Sequence, residues 1–329
     1  MKHPRRRFLH LAAGAAVLPF ASRMASAQTY PTRPITMIVP FPAGGPTDVI
    51  ARTLAEHMKV SLGQNIVVEN IAGAGGSIGV SRAALAMGNG YTLSIGSIST
   101  HVMNGAVYPL DFDLQTAFEP ISLLASSPLL IIGKKNLPAK DLKEFIAWLK
   151  ANPDKASQGT FGAGNISHVA GIYFQRETGT RFAFVPYRGS PPAMLDLLAG
   201  QIDMMFDLAA SAIPQVRAGA VKCYAVTAKT RMAAAPDIPT VDEAGLPGFY
   251  MSLWNGLWVP KGTHRDIVSK LNAAVIDALA HPSVRQRLTD LGLEIAPREE
   301  QTPEALRALQ KAEIEKWWPI IKAAGVKAG

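Results

Sequence analysis

Three strand-to-helix junctions in this chain combine glycines with short polar side chains, an arrangement suited to holding an anion. The first is Phe41-Pro42-Ala43-Gly44-Gly45, which follows an apolar run and precedes Asp48. Because Gly44 and Gly45 have no Cβ, a ligand can approach the backbone closely. The unpaired N–H groups of a helix start then favour a carboxylate or phosphate. A plain connection between a strand and a helix is the alternative interpretation.

Two junctions in the middle of the chain repeat this pattern. One is Gly162-Ala163-Gly164-Asn165-Ile166-Ser167-His168, and the other is Tyr187-Arg188-Gly189-Ser190 with Pro191 and Pro192 suited to a first helical turn. If two lobes each aim helix starts at one cleft, they hold a carboxylate from both sides. Such a cleft needs no catalytic base, so the pattern predicts binding.

A polar cluster, Ser97-Ile98-Ser99-Thr100-His101-Val102-Met103-Asn104, follows a strand that ends near Gly96. Its hydroxyl, imidazole and amide groups suit a polar ligand at the carboxyl end of a strand. Capping of the next helix is the alternative for any one hydroxyl. A hydrolase would use a serine here with His101 or His168 and an acid. The sequence lacks the G-x-S-x-G turn of such enzymes, which counts against that function.

The sequence predicts no cofactor, metal or catalytic site. The turn from Gly73 to Gly79 opens a helix, but Ile78 occupies the third glycine position of a dinucleotide-binding motif. The seven histidines are scattered without metal-ligand spacing. Asp48 suits the first half of its helix. Asp207, after Met204-Met205-Phe206, is the better candidate to face a cleft and accept from a ligand hydroxyl or ammonium.

The elements that must position these groups alternate along the chain, which predicts an α/β protein. Strands are predicted at 35–39, 65–69, 92–95, 157–161, 184–186, 202–206 and 221–226, and helices at 49–61, 78–87, 169–178, 192–198, 266–281, 283–291 and 303–323. Extended segments at 120–133 and 252–260 would cross between two lobes and form a hinge, an interface that ligand pockets prefer. One continuous sheet is the alternative.

The N-terminus predicts export. Arg5-Arg6-Arg7, the apolar stretch from Leu11 to Phe20 and the small residues Ala25-Ser26-Ala27 are typical of a cleavable, twin-arginine-like signal at residues 1–27. Export by the general secretory route is the alternative to the twin-arginine route. Without this segment the net charge falls from +8 to +3, with 28 basic and 25 acidic residues. That balance gives little support to nucleic-acid binding. The single cysteine, Cys223, cannot form an internal disulfide.

Taken together, the ordered motifs resemble the Bug family, the periplasmic receptors of tripartite tricarboxylate transporters. The motifs are Tyr30-Pro31-Thr32-Arg33-Pro34-Ile35, Val39-Pro40-Phe41-Pro42-Ala43-Gly44-Gly45, Glu69-Asn70, Val185-Pro186-Tyr187-Arg188-Gly189 and Asp196-Leu197-Leu198-Ala199-Gly200-Gln201-Ile202-Asp203. The resemblance implies a two-lobed, type II-like periplasmic binding fold, each lobe a mostly parallel sheet flanked by helices. We place lobe 1 at 28–126 with 256–329 and lobe 2 at 127–255, joined by two crossing segments.

The resemblance also implies a function. Such a receptor captures a small carboxylate (an organic acid, a di- or tricarboxylate, an amino acid or an aromatic acid) and delivers it to the membrane permease subunits of the transporter. It implies a periplasmic protein without cofactor, metal or catalysis, and we expect a monomer. A ligand sensor for a two-component system and an exported α/β hydrolase are the alternatives.

In the family, main-chain groups and bridging waters of the first loop hold the ligand carboxylate. Carried onto this chain, residues 41–48 and 97–104 would line one wall of the cleft, and 162–168, 187–190 and Asp207 the other. The residues expected at the ligand are Phe41, Ala43, Gly44, Gly45, Asp48, Ser97, Ser99, Thr100, Asn104, Gly162, Asn165, Ser167, His168, Arg188, Gly189 and Asp207.

Overall fold

The computed structural model describes residues 30–327, so the predicted export signal at 1–27 lies outside the described residues. The strands are β1 (Ile35–Val39), β2 (Ile66–Asn70), β3 (Thr92–Ser97), β4 (Phe118–Lys134), β5 (Ser157–Thr160), β6 (Ala183–Pro186), β7 (Met204–Leu208), β8 (Val221–Val226), β9 (Ser252–Pro260) and β10 (Glu294–Ile295). The helices are α1 (Pro46–Leu62), α2 (Ser77–Ala84), α3 (Asn104–Val107), α4 (Leu142–Ala151), α5 (Ile166–Thr178), α6 (Ser190–Leu198), α7 (Ala209–Arg217), α8 (Arg265–Ala280), α9 (Pro282–Asp290) and α10 (Pro303–Ala323). The predicted α/β class is confirmed. Helices α3, α4 and α7 are additions to the predicted pattern.

The strands form two groups that share β4. Within residues 30–327 the hydrogen-bonded order is β2-β1-β3-β9-β4-β7-β5-β6, and β8 and β10 also pair with β4. The first strand group is β1, β2, β3, β9 and β10; the second is β5, β6, β7 and β8. Inside each group β1 and β5 have parallel neighbours, whereas β4 is antiparallel to all its partners.

Strand β4 changes partners near its middle. It pairs with β9 from Phe118 to Pro128, then with β7 and β8 from Leu129 or Leu130 onward. Pro128 stands at this change and has no N–H to donate to a neighbouring strand. The predicted crossing segments 120–133 and 252–260 therefore fall in β4 and β9. The exact lobe boundaries stay a prediction.

Three apolar clusters hold the described elements together. One lies within the first strand group under α1 and α8, and one lies within the second group under α6 and α7. The third spans both groups and includes Trp258, Phe206 and Trp317 of α10. Trp317 also packs edge-on against Tyr173 of α5, with ring centroids 5.2 Å apart. Helix α10 therefore contributes to a core shared by the two groups. None of the helices described is long and apolar enough to cross a membrane.

Candidate functional site

A cavity of about 250 Å³ lies between the two strand groups. Its lining comes from the turn before α2 and from the segments that follow β3, β5 and β6. The lining residues are Gly75, Ser99, Asn104, Tyr108, Phe161, Gly162, Ala163, Asn165, Tyr187 and Arg188. Open α/β sheets bind ligands beyond the carboxyl ends of their strands. The volume is below the roughly 300–1,000 Å³ of sites for drug-sized ligands, so this cavity suits a smaller molecule.

A second hollow, of about 400 Å³, lies beside α3 and α10. It is lined by residues of a single connecting segment, including Asp111 and Asp113, together with Gly105 and Trp318. Two carboxylates in a surface hollow disfavour an anionic ligand, because like charges repel. The smaller cavity between the strand groups is therefore the better candidate for a carboxylate.

The structure brings together five of the sixteen predicted site residues. Ser99, Asn104, Gly162, Asn165 and Arg188 line the cavity. The remaining eleven lie outside its lining: Phe41, Ala43, Gly44, Gly45, Asp48, Ser97, Thr100, Ser167, His168, Gly189 and Asp207. Two of the eleven, Ser167 and His168, hydrogen-bond to backbone groups of a lining segment.

Asp48 fixes the first loop. Its side chain is 3% exposed and accepts hydrogen bonds from Gly44 N at 2.8 Å, Arg52 Nε at 3.0 Å and Asn70 Nδ2 at 2.9 Å. Asn70 Nδ2 also donates to Phe41 O at 3.0 Å. Burial raises the pKa of Asp48, but the hydrogen bonds from Arg52, Gly44 and Asn70 outweigh it and lower the pKa below the ordinary value. The first loop therefore binds a carboxylate of the protein itself, because Gly44 N donates to Asp48.

Ser167 and His168 hold the lining loop of the second strand group without reaching the cavity. Ser167 Oγ accepts from Phe161 N at 2.8 Å, and His168 Nδ1 accepts from Gly164 N at 3.1 Å. Asn165 caps α5, since its Oδ1 accepts from Ser167 N at 3.4 Å. Burial lowers the pKa of His168. A neutral imidazole is the form that can accept the Gly164 hydrogen bond.

Asp207, the predicted acceptor for a ligand, is fully buried and does not line the cavity. Its Oδ2 accepts from Ser190 Oγ at 3.0 Å and Ser211 Oγ at 2.6 Å, and its Oδ1 accepts from Leu208 N at 2.8 Å. Burial raises the pKa of this carboxyl, although those hydrogen bonds oppose the rise. Asp207 ties the start of α6 to α7. Gly189 begins α6 with φ 107°, in the region that favours glycine.

His101 is a core residue. It is fully buried and stacks on Trp258 with ring centroids 3.9 Å apart. Its ring nitrogens lie 3.0 Å from Thr100 Oγ1 and 3.2 Å from Ser94 Oγ. Within residues 30–327 no acidic side chain hydrogen-bonds to the His101 ring. His101 is therefore not part of a serine–histidine–acid triad there. No group of three or more His, Cys, Asp or Glu side chains in that range is placed to hold a metal ion.

The burial of His101 predicts a loss of stability in acid. Burial lowers its pKa from 6.5 to about 3, so between these values the unfolded chain takes up a proton that the folded chain does not. Folding stability from this group should fall as the pH drops through that window, by about 1.4 kcal/mol per pH unit. Urea unfolding between pH 7 and pH 4 measures the slope. In His101→Gln the slope should flatten; equal slopes in both proteins would contradict the assignment.

Two buried hydroxyls near the cavity have no hydrogen-bond partner. Ser97 is 1% exposed and Ser99 is 3% exposed, and in the described part of the chain neither Oγ has a partner. Buried hydroxyls are nearly always paired with protein or water. Because Ser99 also lines the cavity, a rotation about its χ1 angle would bring the unpaired hydroxyl to a molecule placed there.

The charge of the cavity is positive. Arg188 is the one charged residue among the described residues that line it. Tyr187, beside it, donates its hydroxyl to Asp196 Oδ2 at 2.6 Å. Asn165 adds the start of α5, whose partial positive charge favours an anion. Cation, helix start and free hydroxyl together suit a carboxylate.

Several lining residues were not among the predicted sixteen. Ala163 and Tyr187 belong to predicted wall segments, and Gly75 belongs to the glycine turn. Tyr108 and Phe161 had no local signal as ligand residues. A Cβ on Gly75 would lie 2.7 Å from Tyr108 Oη. The Tyr108 ring can therefore pack against this turn only because residue 75 is glycine. A contact across 33 positions of sequence leaves no local pattern.

Comparison with known proteins identifies the family of this chain. Residues 50–326 match the model of the tripartite tricarboxylate transporter family receptor. BugT of Bordetella pertussis is 35% identical over 304 residues, covering 92% of each chain. MatC of Rhodopseudomonas palustris, solved with bound malate, is 40% identical with a TM-score of 0.79 over 89% of this chain and all of that chain. An R. palustris protein solved with adipate is 32% identical with a TM-score of 0.79, over 90% of this chain and 99% of that one.

The resemblance drawn from the sequence motifs is confirmed by these matches, and so is the two-lobed α/β fold that it implied. The family and its solved members are solute-binding proteins. This chain belongs to the tripartite tricarboxylate transporter receptor family.

Proposed function

We propose that this chain is a periplasmic receptor that captures a small carboxylate between its lobes and delivers it to the permease subunits of a tripartite tricarboxylate transporter. One observation carries the proposal: within the described chain, the cavity between the strand groups has Arg188 as its one charged lining residue. The malate and adipate bound by the two R. palustris proteins support the ligand class.

Capture requires that both lobes contact the ligand. Ser99 and Asn104 belong to the segment after β3, whereas Asn165 and Arg188 follow β5 and β6. The groups also touch beside the cavity, because a Cβ on Gly164 would lie 2.6 Å from Val107 Cγ2. A carboxylate held from both sides favours the closed form and shifts the population toward it.

The remaining parts of the proposal rest on the family. We assign lobe 1 to 28–126 with 256–329 and lobe 2 to 127–255, since β4 runs from the first strand group into the second. The closed receptor would present both lobes to the membrane permease, and opening would release the ligand. The receptor works as a monomer and carries out no reaction on its ligand.

Isothermal titration of the mature chain tests the proposal. The panel is malate, succinate, adipate, lactate and phenylacetate, with aspartate, alanine, 2-aminoadipate and phenylglycine. At least one of these acids should bind with one molecule per chain. Absence of binding by every acid in the panel would contradict the proposed function.

Ser99→Ala should weaken ligand binding without lowering stability. The Ser99 hydroxyl has no partner in the described chain, so its removal breaks no internal hydrogen bond and leaves no unpaired buried group. A lost hydrogen bond to a charged ligand costs about 1.5–3 kcal/mol, which is roughly a 10- to 100-fold loss of affinity. Titration and thermal unfolding measure the two effects.

Ser97→Ala is the matched control for this prediction. Ser97 Oγ is equally buried and unpartnered in the described residues, but Ser97 does not line the cavity. Its removal should leave both affinity and melting temperature nearly unchanged. Equal loss of affinity in the two variants would show that Ser99 does not contact the ligand.

A further inference from the structure

We propose that the cavity selects acids without an amino group, so that hydroxy, oxo or unsubstituted carboxylates bind and α-amino acids are rejected. The inference rests on the proposed function, because it narrows the class of carboxylate taken by the same cavity. Two observations support it. The first is the charge of the residues that line the cavity, and the second is that nearby acidic side chains hydrogen-bond to groups within the protein.

An ammonium group in this cavity would meet no opposite charge. Among residues 30–327 no Asp or Glu lines it, while Arg188 does. An amino acid would therefore place its ammonium near a like charge, in a space without a carboxylate to offset the repulsion. A purely anionic ligand meets the opposite situation, because Arg188 and the start of α5 both favour negative charge.

Asp111 and Asp113, which follow Tyr108, line the other hollow, and three further aspartates are engaged within the protein. Asp48 accepts from Gly44, Arg52 and Asn70. Asp207 accepts from two serine hydroxyls and the Leu208 N–H, and Asp196 accepts from the Tyr187 hydroxyl. To face an ammonium, Asp48 or Asp207 would have to give up three hydrogen bonds within the protein. Rotation of these side chains toward the ligand is therefore unfavourable.

Two uncharged acceptors at the cavity are engaged within the protein. The Gly75 carbonyl accepts from Asn104 Nδ2 at 3.0 Å, and Asn165 Oδ1 accepts from Ser167 N. Asn165 can therefore offer the ligand its Nδ2, which is a donor. A buried ammonium that meets only neutral acceptors, such as Asn104 Oδ1 and the Ser99 hydroxyl, is unfavourable, because they offset its charge less than a carboxylate would. We expect it to lower affinity by at least about 100-fold relative to the same acid without the amine.

The test compares each acid of the panel that binds with its 2-amino counterpart by isothermal titration. The pairs are malate or succinate with aspartate, lactate with alanine, adipate with 2-aminoadipate, and phenylacetate with phenylglycine. The unaminated acid should bind at least about 100-fold more tightly. An amino acid that binds as tightly as its counterpart overturns the inference and leaves the proposed function intact. No binding by any acid overturns both.

A designed change should weaken the preference. Asn165→Asp keeps an N-cap acceptor for α5, because Asp caps helices as well as Asn does, and it places a carboxylate among the lining residues. The ratio of unaminated to aminated affinity should fall at least about tenfold. Asn165→Ser keeps the cap without the charge and should leave the ratio nearly unchanged. An equal ratio in Asn165→Asp and wild type counts against the charge argument.

Discussion

Replacing Arg188 by glutamine should weaken carboxylate binding by roughly 10- to 100-fold. Arg188 is the one cation lining the cavity among the described residues, and a charge-assisted hydrogen bond to a carboxylate is worth about 1.5–3 kcal/mol. Arg188 is exposed to solvent, so part of its attraction to the ligand carboxylate is screened by salt. Titration of the tightest acid of the panel, at low and at high salt, measures both the loss and its ionic-strength dependence.

Arg181→Gln is the matched control, because it removes the same charge at an exposed site. Arg181 pairs with Asp154 at 2.7 Å and does not line the cavity. Its affinity should stay within about twofold of wild type, as expected for a distant, screened charge. Arg188→Lys keeps the charge but loses the bidentate geometry, so an intermediate affinity is expected. If Arg188→Gln and Arg181→Gln bind alike, Arg188 is not the carboxylate anchor.

Gly96→Ala should destabilise the fold by about 3 kcal/mol or more. A Cβ on Gly96 would overlap the His101 ring and lie 2.7 Å from Thr100 Oγ1. The ring cannot retreat easily, since it is fully buried and stacked on Trp258. Extra atoms in a packed core cost about 1–3 kcal/mol and occasionally more. Urea unfolding at pH 7 measures the loss as a lower midpoint at unchanged slope.

Gly45→Ala controls for the general effect of replacing a glycine by alanine. Gly45 has φ −75°, and its Cβ would meet only Pro42 O at an ordinary 3.6 Å. The unfolding midpoint should therefore fall only slightly, because alanine restricts the unfolded chain but is a poorer N-cap residue for α1 than glycine. A loss in Gly96→Ala no larger than in Gly45→Ala would show that His101 has room to move.

The sequence predicted the elements well because hydrophobic periodicity is a local property. Helix α10 has the predicted bounds, and β1 and β8 match the predicted strands. The loops that line the cavity were also found where glycine and polar residues follow strands, as at Gly162 and Arg188. Chemistry that depends on local spacing is readable from one sequence.

What the sequence could not predict depends on which way a side chain turns. Asp207 and Asp48 stand at strand ends and helix starts, as a ligand acceptor would, but both accept hydrogen bonds from other segments of the protein, Asp207 from Ser190 and Asp48 from Asn70. His101 looks like a polar site residue until its stacking on Trp258 is seen. Tyr108 enters the cavity through a contact with Gly75. Each of these outcomes depends on contacts between distant segments.

The change of partners in β4 has a mechanical consequence for the receptor. Each half of the strand is fixed by hydrogen bonds to a different group, so a relative rotation of the groups must twist the chain near Pro128. Proline has no N–H there to lose from a ladder. The two halves of β4 can therefore rotate relative to each other at Pro128 without breaking a backbone hydrogen bond donated by that residue. Under the proposed capture mechanism, opening and closing would change the angle between these halves, and a ligand that fills the cavity would favour one value of it.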